Sequence, residues 1–271
     1  MTANNSGPIH TRLRVLSWNI WWKFGPWEAR APAIEAVLKQ ANADVIALQE
    51  VWGNEAENYA GILAEKLGYH CFHADCMVMN RTGFGNAILS RWPIEKHETI
   101  TLSGAEETDE TRNALYAKIN GPRGAFDFFC THLNWRYEQS HIRQAQVREV
   151  AEFVSANTSG KMPPLLCGDF NAEPMSDEIR SLTGLSAAAA KGLVFHDAWA
   201  VAGQGMGNTW DNQNPFVAAE FEPNRRIDYI FAGHPKARGR GHITDIEIIG
   251  NSPLDNIWPS DHFGLLAQVR Y

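Results

Sequence analysis

A succession of short apolar runs in this chain breaks off, or opens, at the same few polar residue types. Residues 13–18 end at Asn19, residues 45–48 end at Gln49-Glu50, and residues 125–130 end at Thr131-His132. Residues 164–167 end at Gly168-Asp169-Phe170-Asn171, Asp228 sits inside the run 226–232, and Asp261-His262 opens the run 263–269. Taken singly, each of these polar residues reads as a cap, a turn or a solvated loop. Their repetition restricts the fold. A carboxylate at a buried strand end has to be paired, bound to a cation or placed at an edge. Asp169 and Asn171 are two apart, so an extended strand exit points both into one space, with Phe170 anchoring the other side. If all these ends converge, they build an acidic mouth with imidazoles beside it. Oxygen ligands of this kind suit magnesium or manganese.

Between these runs the chain alternates strands with helices and hairpins. Strands are expected at 13–18, 44–49, 70–79, 84–89, 116–119, 125–130, 164–167, 226–232, 243–249 and 263–269. Helical spacing covers 31–40, 55–67 and 139–154, with a short helix after Ser176. A hairpin is expected around Asn120-Gly121. Many strands and few long helices predict two packed sheets with helices outside. At 271 residues one domain suffices, set at 12–271 behind a flexible segment 1–11.

The formal net charge is −7, which argues mildly against a nuclease that grips its substrate by charge alone. The short basic pairs Arg225-Arg226 and Arg238-Arg240 read as solvated surface. Cys71, Cys76, Cys130 and Cys167 lack the spacing of a structural zinc site, and the last two read as buried thiols. The segment 1–14 has no apolar core of a signal peptide, and no apolar stretch is long enough to span a membrane. A cytoplasmic location is the expectation. Trp21, Trp22, Phe24 and Trp27 form an aromatic loop broken by Gly25-Pro26, read as core packing, substrate wall or lipid-facing patch.

The ordered set Ser17-Trp18-Asn19, Leu48-Gln49-Glu50, Thr131-His132-Leu133, Gly168-Asp169-Phe170-Asn171, Arg226-Ile227-Asp228-Tyr229-Ile230 and Ser260-Asp261-His262 resembles the endonuclease/exonuclease/phosphatase (DNase I-like) superfamily. Each piece is weak alone; in this order the set is specific to the superfamily but not to a substrate. The resemblance implies a four-layer α/β sandwich, with two mixed β-sheets packed face to face and helices outside. It implies Glu50 as principal magnesium ligand, with Asn19 and Asp261 as further ligands or water-mediated partners. It implies Asp169 as the group that activates or orients water and Asn171 as the holder of that water or of a phosphoryl oxygen. His262 would face the scissile phosphate, Asp228 would orient His262, and His132 would be a second phosphate-facing histidine. In the secreted DNase I-type nucleases an arginine–glutamate pair supports that second histidine. Here Arg112 is followed by Asn113, which leaves His132 as a hydrogen-bond donor to phosphate.

These readings predict a magnesium-dependent phosphoric ester hydrolase acting by in-line attack of an activated water, with manganese as a substitute. A small or lipid-derived phosphodiester is the favoured substrate, approached by Arg112, Trp22, Trp135 and Trp210, with peripheral lipid contact in view. DNA or RNA, an inositol-phosphate-type monoester, and a non-catalytic module retaining the fold are the alternatives.

Overall fold

The computed structural model describes residues 7–158 and 160–271. Of the segment 1–11 expected to be flexible, residues 1–6 lie outside the described residues. Within the rest, Ile9 is buried and its N–H donates to the Arg238 carbonyl at 3.0 Å.

The described strands form two six-stranded mixed sheets. The first contains β1 (Arg12–Asn19), β2 (Val45–Gly53), β3 (His70–Met79), β4 (Thr82–Ser90), β11 (Ile243–Ile249) and β12 (Gly264–Arg270), in the order β11-β12-β1-β2-β4-β3. The second contains β5 (Ile94–Leu102), β6 (Arg112–Gly121), β7 (Gly124–His132), β8 (Leu165–Asp169), β9 (Phe195–Asp197) and β10 (Asp228–Gly233), in the order β5-β6-β7-β8-β10-β9. Strands β1–β2 and β7–β8 pair in parallel, and the other neighbours are antiparallel.

Side-chain alternation sets the layers. On β1, Leu13 and Val15 pack between the sheets against Leu115, Phe128, Leu165 and Ile230. Leu16 and Trp18 point outward, with Ile34 and Leu38 of α1 (Trp27–Ala41) and Leu63 of α2 (Tyr59–Leu67) in the same cluster. The outer face of the second sheet is covered by Val147, Val150 and Val154 of α3 (Ser140–Asn157) and by Ile179 and Leu182 of α4 (Asp177–Thr183). The result is helices, sheet, sheet, helices, the expected four-layer sandwich. Strands covered on both faces read in sequence as near-continuous apolar runs.

Several boundaries differ from expectation. β5 was not expected, because Ile94-Glu95-Lys96-His97-Glu98-Thr99 is polar; it is an edge strand with most side chains in solvent. The hairpin turn lies at Pro122-Arg123, since Gly121 still pairs with Gly124. α2 begins at Tyr59 rather than near 55, because the Asn58 side chain caps it by accepting from Gly61 N–H. β2 does not stop before Glu50: the ladder with β4 slips between Leu48 and Val51 and then resumes.

Candidate active site

Strand register brings the polar ends together. Parallel pairing sets Asn19 beside Gln49 and His132 beside Asp169, and antiparallel pairing sets Asp228 opposite Asp169. Asp261 and His262 lie just before β12, which pairs antiparallel to β1. One edge of the sandwich therefore carries the ends of both sheets.

Glu50 reaches this edge through a β-bulge. Its φ of +56° is unusual for a residue with a Cβ. The bulge turns the Glu50 carboxylate out of the ladder and toward Asn19, whose Nδ2 donates to Glu50 Oε1 at 3.0 Å and to Asp169 Oδ2 at 3.0 Å. Burial, followed by the nearby Asp261 carboxylate, pushes the Glu50 carboxyl from its ordinary 4.5 up to about 7. Burial also raises Asp261, whose Oδ1 accepts from its own neighbour His262 N–H at 2.9 Å. Glu50 Oε2 is buried with no hydrogen-bond partner.

His262 and Asp228 form a second pair, with Nδ1 2.9 Å from Asp228 Oδ2. Burial disfavours charge on this imidazole, but Asp228, Asp169 and Asp261 outweigh it and hold His262 well above the usual histidine range. Its other nitrogen, Nε2, lies 3.7 Å from Asp169 Oδ2. Burial and then Asp228 raise Asp169 from 3.8 to about 6. Asp169 Oδ1 is held by the Asn171 N–H at 2.9 Å, with Asn171 at φ +50°. Asp228 Oδ1 is buried without a hydrogen-bond partner.

His132 behaves in the opposite sense. Burial and the adjacent Arg112 guanidinium push it well below the usual range, so it is neutral. Arg112 Nη1 lies 3.0 Å from His132 Nδ1 and 3.4 Å from Nε2, and a guanidinium only donates. Nε2 also lies 3.5 Å from Asp169 Oδ2 and 3.2 Å from Asn171 Nδ2, which donates to Leu133 O at 3.1 Å. Arg112 is itself buried, and its Nη2 donates to Glu110 Oε2 at 2.8 Å. Asn113, the next residue, faces away and engages Asn86.

The cluster floors a cleft of about 740 Å³. Trp135 and Trp210 line it, and the Trp210 ring meets His262 edge-on at 5.0 Å. Trp22, expected to contact substrate, does not line the cleft: it is buried in the outer core of the first sheet, and its Nε1 donates to Gly83 O at 2.7 Å. Its neighbour Trp21 lines the cleft instead, because the chain reverses direction there with positive φ at both tryptophans. Arg225 and Arg226, read as solvated, are both buried. Arg225 lines the cleft and donates to Asn171 O at 3.3 Å, and Arg226 pairs with Asp197 at 2.7 Å. Phe216 and Arg136 also line the cleft and carried no sequence signal beyond their residue type.

Two groupings fit a divalent cation. Asp169, Asp228 and His262 each offer a ligand atom, all within 4.8 Å of one another. Glu50 and Asp261, beside Asn19, offer oxygen donors only, and Glu50 Oε2 is free to accept a bond. A buried, partnerless carboxylate oxygen is costly unless a cation or proton satisfies it. The donor set therefore fits a hard divalent ion.

The profile of the "Endonuclease/Exonuclease/phosphatase family" matches residues 16–262. The chain is 33% identical to the uncharacterized protein YbhP of Escherichia coli over 176 residues, 59% of this chain and 66% of that protein. It is 26% identical to Drosophila melanogaster Nocturnin, covering 90% of this chain and 42% of the relative, and 24% identical to a putative neutral sphingomyelinase of Caenorhabditis elegans, covering 95% and 66%. The chain thus spans less than two thirds of these relatives' lengths. Among solved structures, D. rerio TDP2 complexed with a single-strand DNA product superposes with a TM-score of 0.74 at 23% identity, covering 95% of this chain and 98% of that one. A likeness at that identity supports the sandwich architecture alone. Among the described residues, no helix is long and apolar enough to cross a membrane.

Proposed function

The chain belongs to the endonuclease/exonuclease/phosphatase family, and from that premise we propose that residues 12–271 act as one divalent-metal-dependent phosphodiesterase domain. The observation that carries this reading is the pair of partnerless buried carboxylate oxygens, Glu50 Oε2 and Asp228 Oδ1, in a site with two oppositely biased imidazoles. Glu50, with Asn19 and Asp261, is the proposed metal side. His262 Nδ1 is already engaged by Asp228, which favours the oxygen-only grouping for a hard ion. A bound magnesium or manganese ion would supply electrostatic stabilisation of charge growing on the phosphoryl oxygens.

The remaining roles belong to the chain itself. Asp169 Oδ1 is fixed by a backbone amide, and Oδ2, which accepts from Asn19 Nδ2 and faces both imidazoles, is the proposed oxygen that orients and deprotonates water. His262, cationic, presents Nε2–H to a non-bridging phosphoryl oxygen, and Asp228 holds its ring and charge. His132, neutral, is the second phosphate-facing histidine of this reading, set beside the Asn171 side chain. Arg112 holds the His132 ring in place through its contact at Nδ1.

For the substrate, a nucleotide or short single-stranded nucleic acid displaces the lipid-derived diester from first place. Relatives bear names and titles from both worlds, a sphingomyelinase and a complex with a single-strand DNA product. Within the cleft, Trp21, Trp135 and Trp210 stand beside Arg112, Arg136 and Arg225, the mixture that stacks bases and meets their phosphates. The lipid reading keeps one support: Phe24, Trp135 and Phe221 expose 41%, 50% and 94% of their surfaces. The inositol-phosphate reading has less, because the three lining arginines are matched by Glu110, Glu220 and Glu222.

The test is a rate comparison on short RNA, single-stranded and plasmid DNA, a lipid head-group diester and inositol phosphates, with magnesium or manganese and with EDTA. Hydrolysis of the single-stranded substrates, lost in EDTA, is expected. No phosphoester cleavage across the whole set would leave a binding module in its place.

A further inference from the structure

Two loops flank the metal side of the cleft. One follows β1 and carries Trp21; the other precedes β12 and carries Asp261. They share a partner in Arg30 of α1, whose side chain is fully buried. Its Nη1 donates to Ile20 O at 3.0 Å and to Pro259 O at 2.8 Å. Its Nη2 donates to Trp21 O at 2.7 Å, Trp22 O at 3.1 Å and Phe24 O at 3.1 Å. These acceptors are all backbone carbonyls, so the guanidinium ties main chain to main chain.

The loop it holds is one that would not hold itself. Trp21 and Trp22 have φ of +57° and +31°, a conformation that persists only where the surroundings fix it. The Trp21 ring lies over the same guanidinium, 4.8 Å from Cζ to the ring centroid. On its other sides it meets Phe216 at 4.5 Å and packs so close to Gly25 that a Cβ there would sit 2.6 Å from its Cζ3. Trp21 is thus a rigid wall of the cleft, aimed by contacts made behind it.

We infer that Arg30 is a positioning residue that couples this aromatic wall to the Asp261 arm, so that one buried cation sets both the seat of the substrate's planar group and the metal-side carboxylate. The inference rests on the reading of this cleft as the active site. A lysine cannot replace Arg30, because three donors on one nitrogen cannot serve the five carbonyls that its two Nη atoms reach.

Hydrogen exchange on the intact chain reads the coupling without activity. In the wild type, residues 20–24 and 257–261 should open as one unit, and in Arg30→Lys both should lose protection together by about 10-fold or more. Loosening of one segment alone, or of neither, overturns the inference. Kinetics supplies the second arm. Arg30→Lys should raise both KM and the divalent concentration giving half activity, lowering kcat/KM by about 100-fold. Trp21→Ala should raise KM without moving the divalent concentration giving half activity, and Asp261→Asn should raise that concentration without moving KM. An Arg30→Lys enzyme whose folded fraction keeps wild-type KM and metal requirement has lost stability only, which also overturns it. If Arg30→Lys does not fold, unrelated opening rates for the two wild-type segments do the same. A wild type that cleaves no phosphodiester would sink the functional reading, while the exchange arm would still decide the coupling.

Discussion

Asp169 and His262 face each other across 3.7 Å, the carboxyl raised by burial and the imidazole raised by the carboxylates around it. Asp169→Asn keeps the volume and the bond from Asn171 N–H but removes the base. His262→Ala removes the cationic donor. Each should lower kcat by at least ~100-fold while thermal unfolding stays within a few degrees of wild type. Wild-type rates in either variant would take that residue out of the mechanism. Glu50 makes a different prediction, through linkage. Its folded pKa of about 7 exceeds the ordinary 4.5, so the folded state holds this proton more tightly than the unfolded chain does. The destabilisation from burying the ionised group is absent below 4.5, grows as pH rises toward 7 and is complete above it. A divalent ion needs the ionised form. Manganese should therefore raise Tm more at pH 8 than at pH 5.5, and Glu50→Gln should stabilise the metal-free protein at pH 8 while abolishing the manganese effect. Equal metal-induced shifts at both pH values, in wild type and variant alike, would remove Glu50 from the metal side.

At the scale of elements, β8 is the piece on which the site's spacing depends. It is parallel to β7 and antiparallel to β10, and so fixes both His132 and Asp228 against Asp169. Gly168 permits the close approach to β7: a Cβ there would lie 2.1 Å from Thr131 O. Gly168→Ala should spread this pair, lowering Tm by roughly 5 °C and activity along with it; calorimetry showing no change would mean the strands relax freely. The β8 ending was legible in the sequence, because an apolar run followed by Gly-Asp-x-Asn states both the burial and the exit. Asn19, His132 and Asp261-His262 were legible in the same way. The bulge at Glu50 was not, since a left-handed glutamate inside an apolar strand leaves no compositional mark. β5 was hidden because an edge strand need not be apolar. Trp21 and Trp22 were indistinguishable as neighbours in an aromatic string; only the path of the backbone decides which faces the cleft. Arg30 was hidden because its partners are carbonyls, which every residue has. Arg225 and Arg226 were misread because a charge run signals solvent only when no acid or carbonyl is folded over it.

For the whole molecule, a net charge of −7 sets the long-range field, and the cleft's own arginines act only nearby. A nuclease that relies on many phosphate contacts loses affinity steeply with salt. Here the slope of log KM against log salt for an oligonucleotide should correspond to about two phosphates or fewer. A much steeper slope would reveal a basic track that the cleft does not contain. The two ends of the described chain meet far from this chemistry. Arg12 pairs with Arg270, the Thr11 hydroxyl bonds to the Tyr271 carbonyl, and β1 runs from there to Asn19 at the cleft. The fold can therefore be rewired without touching its reactive rim. A short glycine–serine bridge across those ends, with new termini opened at the exposed β6–β7 turn near Pro122-Arg123, which does not line the cleft, would yield a circular permutant expected to turn over substrate at the parental rate.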